Sequence, residues 1–339
     1  MSLSIELNRS LKSFNTLAVE ACAQRFTEAR SDQDVIDALA EARCLSIPLW
    51  VLGGGSNLVL TGNVEALVLR MATAGIRIVE DDGDQVVVEA EAGEPWHPFV
   101  LHCLSLGLNG LENLSLIPGT VGAAPIQNVG AYGVEIKDVF AGLTALDRST
   151  GNVVDFDLAA CEFGYRDSLF KRQAGRYIIL RVRFLLHRSV NLRLDYGPVR
   201  QWLQQHAILS PSPLDVSRAI SAIRSEKLPD PQVLGNAGSF FKNPIVPRSI
   251  AESLRERFPD LVAYPQEDGR SKLAAGWLIE RAGWKGFRRG DAGVHTLQAL
   301  VLVNYGGATG KQILELAQQI QADIAERFGV QLEVEPNII

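Results

Sequence analysis

The stretch Ile117-Pro118-Gly119-Thr120-Val121-Gly122-Ala123-Ala124-Pro125-Ile126-Gln127-Asn128-Val129-Gly130-Ala131-Tyr132-Gly133 constrains the fold more than any other segment. It is rich in glycine, proline and asparagine, yet not low in hydrophobicity. That combination reads as an ordered loop pressed against something, since a flexible linker would be more polar. Such a chain can lie flat against a planar, amphipathic ring system, with backbone donors and Gln127 or Asn128 meeting its polar edge. The plainer alternative is an internal core loop with its own turns.

A second loop, Gly53-Gly54-Gly55-Ser56-Asn57, follows the strand candidate Leu49–Leu52. Three glycines let backbone amides approach a ligand without a Cβ in the way, and Ser56 and Asn57 add short donors. The loop could cradle a pyrophosphate or simply connect two strands. It departs from GxGxxG, because Leu58-Val59-Leu60 reads as strand where a helix would be needed, so a doubly wound dinucleotide fold is disfavoured. The two loops together point to a dinucleotide-like cofactor.

Around these loops the pattern alternates between helix and strand. Ser31–Ala42 is a helix candidate, with Ser31 or Asp32 as cap. Ala66–Leu69 is a strand, and Ile76–Glu80 with Val86–Ala90 forms a hairpin across Asp81-Asp82-Gly83-Asp84. Pro95 opens a helix reaching Leu106. Strands resume at Val139–Asp147, Val153–Asp157 and Tyr177–Leu186. Beyond Pro211-Ser212-Pro213 come helical patterns at Asp215–Glu226, Ser249–Phe258, Ala274–Arg281 and Gln312–Phe328, then a last strand at Val330–Val334 that returns to the first domain.

A chain of 339 residues suits two or three domains. Its 47% hydrophobic content supports a real core, and its net charge of -6 exerts no long-range pull on nucleic acid or anionic lipid. Cys22, Cys44, Cys103 and Cys161 form no CxxC and lie beside no paired histidine cluster; they read as buried thiols of a reducing compartment, with no metal site. No stretch reaches the ~20 apolar residues needed to cross a bilayer, and the N-terminus lacks a signal-like pattern. The expectation is a cytoplasmic monomer without an obligatory protein partner.

Three segments carry candidate chemistry. In Cys161–Lys171, Arg166 beside Phe163 and Tyr165 suits a carboxylate clamp, while an Arg166–Asp167 structural pair is the bland alternative. In Gly235–Pro244, Ser239 lacks a GxSxG elbow, so a proton-donating hydroxyl fits better than a nucleophile, and a turn hydroxyl fits best on spacing alone. Glu335 shares a strand face with Glu333 near the chain's end, where acids usually meet solvent. His97, His102 and His295 read as structural or exposed.

Several of these segments occur together, in order, in one family. LGGGSN at Leu52–Asn57, the Ile117–Gly133 loop, YRDSLFK at Tyr165–Lys171, AGSFFKNP at Ala237–Pro244, AAGWLIE at Ala274–Glu280 and the terminal LEVEP make the chain resemble the UDP-N-acetylenolpyruvoylglucosamine reductases over nearly its whole length. The resemblance implies an α+β protein: an FAD-binding fold of the vanillyl-alcohol oxidase type, with two α+β subdomains, plus a C-terminal α/β substrate domain. The implied boundaries are 1–70 with the strand 329–339, then 71–214, then 215–328. It also implies NADPH-dependent, FAD-mediated reduction of the enolpyruvyl ether of UDP-N-acetylglucosamine enolpyruvate.

FAD would be held by Gly53, Gly54, Gly55, Ser56 and Asn57, and by Pro118, Gly119, Gly122, Gln127, Asn128, Gly130, Ala131 and Tyr132. Arg166, Ser239 and Glu335 would be catalytic. Tyr196, on the extra loop of one form of the family, would bind the sugar nucleotide together with Lys227 and Asn243. The promotion of Ser239 and Glu335 rests on the resemblance alone. The alternatives are an oxygen-using flavin oxidase of the same fold and a non-catalytic binder of flavin or nucleotide sugar.

Overall fold

The computed structural model describes residues 3–195 and 197–339. The chain divides into two compact units, neither continuous in sequence. The first comprises Met1–Arg9, Ala23–Gly54 and Glu65–Glu226; the second comprises Ser10–Cys22, Gly55–Val64 and Lys227–Ile339.

The first unit holds two sheets. In the smaller, the strands run in the order Glu6–Ser10, Cys22–Ala29, Val64–Met71, Leu49–Leu52. The last two pair in parallel, Leu49 opposite Leu67 and Leu52 opposite Arg70. The helix Asp32–Cys44 is capped by Ser31, whose Oγ accepts from the Asp34 amide at 3.2 Å. It buries Val35, Ala38, Leu39 and Ala42, the i, i+3, i+4, i+7 stripe of an amphipathic helix.

The larger sheet is antiparallel, in the order Val153–Phe156, Phe140–Asp147, Tyr177–His187, Gln85–Glu91, Ile76–Asp81. Along Tyr177–His187, Val182, Phe184 and Leu186 point to the core while Arg181 and Arg183 stay more open. The helix Trp96–Ser105 closes that face: the rings of Trp96, Phe99 and Phe184 lie 5.0–5.8 Å apart. Each such burial is worth ~1.5–3 kcal/mol against exposure, and the tilted rings add a little more. Trp96 Nε1 bonds the Leu114 carbonyl at 2.8 Å, so the indole keeps a polar partner while buried. This packing fixes the platform on which the loop after Ile117 lies.

The helix Pro213–Lys227 packs Val216, Ala219, Ile220 and Ile223 against Val199 and Leu203 of the helix Gly197–Gln205. Compactness therefore assigns it to the first unit, where the sequence division at 214/215 opened the substrate domain with it.

In the second unit the main sheet runs Gly235–Ser239, Val301–Asn304, Ala292–Val294, Arg288–Arg289, all antiparallel. A three-stranded sheet orders Ile245–Val246, Ser271–Leu273 and Ala263–Pro265. The helices are Arg248–Arg257, Ala275–Arg281 and Gly310–Phe328. The last carries a reciprocal capping box between Thr309 and Gln312 and ends at left-handed Gly329.

The expected strand Val330–Val334 is not formed. Among the described residues its backbone partner is Phe240–Lys242, which Asn243-Pro244 ends before a ladder can extend, and a proline offers no amide. What remains is one bridge, Phe241 to Val334. The terminal strand is Asn337–Ile338 instead, parallel to Leu58–Val59. A second correction concerns the thiols. All four are free, but only Cys103 and Cys161 are buried, both pushed up to about 12 by burial. Cys44 ends a helix on its open side and Cys22 starts a strand, so neither reaches the core.

Candidate active site

In the first unit the two glycine-rich loops meet backbone to backbone. A Cβ on Gly54 would lie 2.7 Å from Gly119 Cα, which no side chain tolerates. The second loop is itself pinned: Trp96 donates its amide to the Gly119 carbonyl at 3.0 Å, while Val121 donates to Glu94 and Gly122 to Ala92, both at 2.9 Å. It then winds as a 3-10 helix, Val121–Gln127. Val121, Gly122, Ala124 and Gln127 are buried, whereas Gly53, Gly119, Thr120, Ala123 and Val129 to Tyr132 stay half-buried and Gly54 and Pro118 are exposed. A crease of small, mostly apolar residues is left partly open.

Asn128 has a different task from the one expected of its side chain. It is fully buried in the left-handed region, φ 43°. Its Nδ2 donates to Glu135 Oε2 at 3.1 Å and to the Gly164 carbonyl at 3.0 Å, and its Oδ1 accepts from the Lys137 amide at 3.0 Å. The Gly164 contact ties the loop to the segment bearing Arg166, and the other two fix the chain that follows the loop. Gly130 and Ala131 then pair with Glu135 and Val134 in a short ribbon.

Arg166 also sits in the left-handed region, φ 53°, a conformation costing a non-glycine residue roughly 1–3 kcal/mol. The turn that holds it is closed by Gly164 donating to Asp167 at 2.9 Å, and Lys171 Nζ grips the Arg166 carbonyl at 3.0 Å. Its guanidinium lies over the Tyr165 ring at 5.4 Å, and its Nη2 donates to the Gly130 carbonyl at 2.8 Å. Asp167 pairs with Arg172. The arginine is thus aimed at the loop by a strained turn.

The sequence reading missed Arg224. Burial pushes its guanidinium below the usual range, Tyr132 partly offsets this through its hydroxyl, and Arg224 Nε donates to the Leu116 carbonyl at 3.2 Å. The available signal was its place beside the buried stripe of Ile220 and Ile223. His97 proves structural, its Nδ1 accepting from the Leu116 amide at 2.9 Å.

In the second unit, Gly55 is buried and its carbonyl accepts from the Thr16 amide at 3.0 Å; Ser56 and Asn57 are half-buried. Asn57 is woven into the chain's end: its carbonyl accepts from the Asn337 amide at 3.0 Å, and its Nδ2 approaches the Glu335 carbonyl at 3.5 Å.

Ser239 ends the strand Gly235–Ser239, exposed, beside two fully buried rings, Phe240 and Phe241. The ladder slips between Asn236 and Ser239, because Ala237 and left-handed Gly238 (φ 69°) bulge out. Such a bulge re-aims the residue that follows it. The Glu335 amide donates to the Phe240 carbonyl, and the Lys242 amide to the Glu333 carbonyl, both at 2.9 Å. These bonds bring Glu335 beside the Ser239 segment. Glu333 pairs with Lys242 Nζ at 2.7 Å.

Asn243 Oδ1 accepts from the Ala275 amide at 3.0 Å, capping the helix Ala275–Arg281. What it can offer a ligand is therefore its N–H donors, the right polarity for a phosphate oxygen. Lys227 is exposed at the last residue of the helix Pro213–Lys227, where the helix dipole favours a cation. Tyr196 lies outside the described residues.

Comparison with known proteins identifies two family domains in the chain. Residues 23–157 match the FAD binding domain family, and residues 230–339 match the UDP-N-acetylenolpyruvoylglucosamine reductase C-terminal domain. A Pseudomonas fluorescens (strain Pf0-1) protein curated as UDP-N-acetylenolpyruvoylglucosamine reductase is 68% identical over 337 residues, 99% of each chain. The solved reductase of that name from Thermus caldophilus is 26% identical, with a TM-score of 0.67 over 99% of this chain and 98% of its own. A solvent-stable cholesterol oxidase, 11% identical, matches in fold alone, with a TM-score of 0.53 over 98% of this chain and 87% of its own. The chain belongs to the UDP-N-acetylenolpyruvoylglucosamine reductase family.

Proposed function

We propose that the chain reduces the enolpyruvyl ether of UDP-N-acetylglucosamine enolpyruvate to UDP-N-acetylmuramate, using NADPH and bound FAD, in peptidoglycan precursor synthesis. End-to-end identity of 68% to a reductase of that name supports the reaction. The observation that carries the assignment of residues is the bond from the Glu335 amide to the Phe240 carbonyl, which makes neighbours of an acid and a serine lying far apart in sequence.

The residues present fit a flavin dinucleotide. Side chains at Gly53 and Gly54 would strike Thr120 and Gly119, so these glycines let the two loops close on each other, and the small, half-open residues left along the crease suit a flat amphipathic group. Gly53, Gly54, Pro118, Gly119, Gly130, Ala131 and Tyr132 would hold it chiefly through backbone, with Gly122, Gln127 and Asn128 fixing the loop's course. Gly55, Ser56 and Asn57 add short donors. Arg224, bonded to Tyr132, adds a fixed positive charge. FAD bound there supplies two-electron transfer from NADPH to the enolpyruvyl double bond.

The protein's own part is positioning and proton supply. Arg166 presents a guanidinium to the substrate carboxylate and offsets the negative charge that gathers on the ether-bearing carbon and its carboxylate when the adjoining methylene carbon is reduced. Glu335, carrying a proton, bonds and polarises the same carboxylate. Ser239 Oγ delivers the proton that completes the lactyl ether; a hydroxyl is a weak acid, but the enolate-like acceptor is strongly basic. Lys227, the Asn243 N–H donors and Tyr196 bind the sugar diphosphate.

A cytoplasmic monomer completes the reading. The four free cysteines suit a reducing compartment, light scattering tests the monomer, and among the described residues no helix is long and apolar enough to cross a membrane. Stopped-flow absorbance of the yellow protein tests the function. NADPH should bleach the flavin band and UDP-N-acetylglucosamine enolpyruvate should restore it under anaerobic conditions. Rapid return with oxygen and none with the nucleotide sugar would favour an oxidase.

A further inference from the structure

The first unit contains a cavity of about 460 Å³ whose lining includes no residue of the glycine loops and none with a role assigned above. It opens among the end of the helix Asp32–Cys44, the start of the strand Leu49–Leu52, and the turns at 148–149 and 174–176. Leu39, Ala42, Ile47 and Pro48 give it an apolar wall, and it lies wide open to solvent.

The polar lining is cationic and only partly neutralised. Arg43 Nη2 donates to the Arg148 carbonyl, and Arg148 Nη1 donates to the Gly175 carbonyl at 2.7 Å. Each guanidinium is thus anchored by one backbone oxygen and keeps further N–H groups for another acceptor. Arg176 differs: it pairs with Asp147 at 3.3 Å, and that carboxyl is held below its ordinary range first by the Ser149 hydroxyl and amide. Among the described residues no carboxylate comes within ion-pair distance of Arg43 or Arg148. Burial, and then the neighbouring charge of Arg43, push the Arg148 guanidinium below its usual range.

Two like charges held together without a counter-ion call for an anion of matching charge. A carboxylate would neutralise only one of them. A phosphomonoester carries about -1.5 to -2 at pH 7 and offers three strong acceptor oxygens, enough for both forks.

We propose that this cavity binds a small phosphomonoester with an apolar body, its phosphate held by Arg43 and Arg148 and its body lying on Leu39, Ala42, Ile47 and Pro48. The test is isothermal titration calorimetry of the FAD-loaded protein with phenyl phosphate, inorganic phosphate and benzoate. Phenyl phosphate should bind saturably and more tightly than either fragment. Arg43→Gln and Arg148→Gln should each weaken it by roughly 10-fold or more, the effect of a lost charge-assisted bond. Lys227→Ala should leave it unchanged. The idea is overturned by no saturable binding at millimolar phenyl phosphate, by benzoate binding as tightly, by unaltered affinity in arginine variants that keep their flavin spectrum, or by loss of binding in Lys227→Ala. Should Arg148→Gln fail to fold, Arg43→Gln decides alone, since that side chain is exposed at a helix end.

Discussion

The amide of Glu335 donates to the carbonyl of Phe240 at 2.9 Å, so an acid near the chain's end stands beside the residue that follows Ser239. If Ser239 Oγ supplies the final proton, the two half-reactions must separate. Ser239→Ala should leave flavin bleaching by NADPH intact and slow reoxidation by the nucleotide sugar by roughly 10²–10⁴-fold, the usual reach of general acid catalysis. Stopped-flow traces of each half-reaction check this. Equal loss in both would assign Ser239 a structural place in the bulge at Gly238.

Arg166 allows a sharper test, because charge and fork can be parted. Arg166→Lys keeps the positive charge but loses the planar donor pair, and it must still adopt φ 53°. Reoxidation by substrate should fall roughly 10²–10³-fold, as when one preorganised donor is removed from a transition state, and NADPH bleaching should change little. A full rate in Arg166→Lys would reduce the arginine's role to charge alone.

Local signals were the legible part of this chain. The Ser31 cap, the hairpin Ile76–Asp81 with Gln85–Glu91, and the long helix ending at Gly329 all follow from residues a few positions apart. Pairings across distance were not legible. Nothing in Leu332–Pro336 names Phe240–Lys242 as its partner, so Glu335 read as a solvent-facing acid until the fold joined them. Asn128 looked like a donor to a ligand because its three partners, Glu135, Lys137 and Gly164, are set by a loop crossing that no spacing rule encodes. The helix Gly197–Gln205 escaped notice because it is short and buries only Val199 and Leu203.

The Asn128 contacts predict a stability effect that spreads to the site. Asn128→Ala removes one acceptor and two donor bonds from a fully buried position and leaves the Lys137 amide and Gly164 carbonyl without them. Part-buried bonds of this kind are worth roughly 0.5–1.5 kcal/mol each, so the melting temperature should drop by a few degrees. FAD retention on gel filtration should weaken as well, because the Arg166 turn loses its tether. An unchanged melting curve would show that water replaces the asparagine without loss.

Gly54 tests the cradle itself. Gly54→Ala would push a methyl to 2.7 Å from Gly119 Cα, a backbone atom that cannot rotate away, so the two loops must part by several tenths of an ångström. Since Gly54 is exposed, little core packing is lost, and the apoprotein should melt close to the unaltered chain. The expected outcome is weaker FAD binding, by roughly 10-fold or more, as befits a misplaced backbone contact of about 1.4 kcal/mol. Fluorescence titration of apoprotein with FAD measures it. Unaltered affinity would mean that the crease is a packing seam between loops rather than a cofactor surface.

Glu112 gives a pH dependence whose sign can be worked out. It is buried, and desolvation raises its carboxyl above the usual 4.5, opposed in part by the Gly110 amide donating to Oε2 at 2.7 Å. A carboxylate whose pKa is higher folded than unfolded holds its proton longer in the native state. Its contribution to stability is therefore fully present below the unfolded value and is lost as pH rises through the folded one. Glu112→Gln keeps an oxygen for the Gly110 amide and removes the buried charge, so its melting temperature relative to the unaltered chain should rise on going from pH 4 to pH 8. Calorimetric melts of both proteins across that range decide it. A difference that stays flat or falls with pH would show that the native Glu112 carboxylate is ionised without penalty.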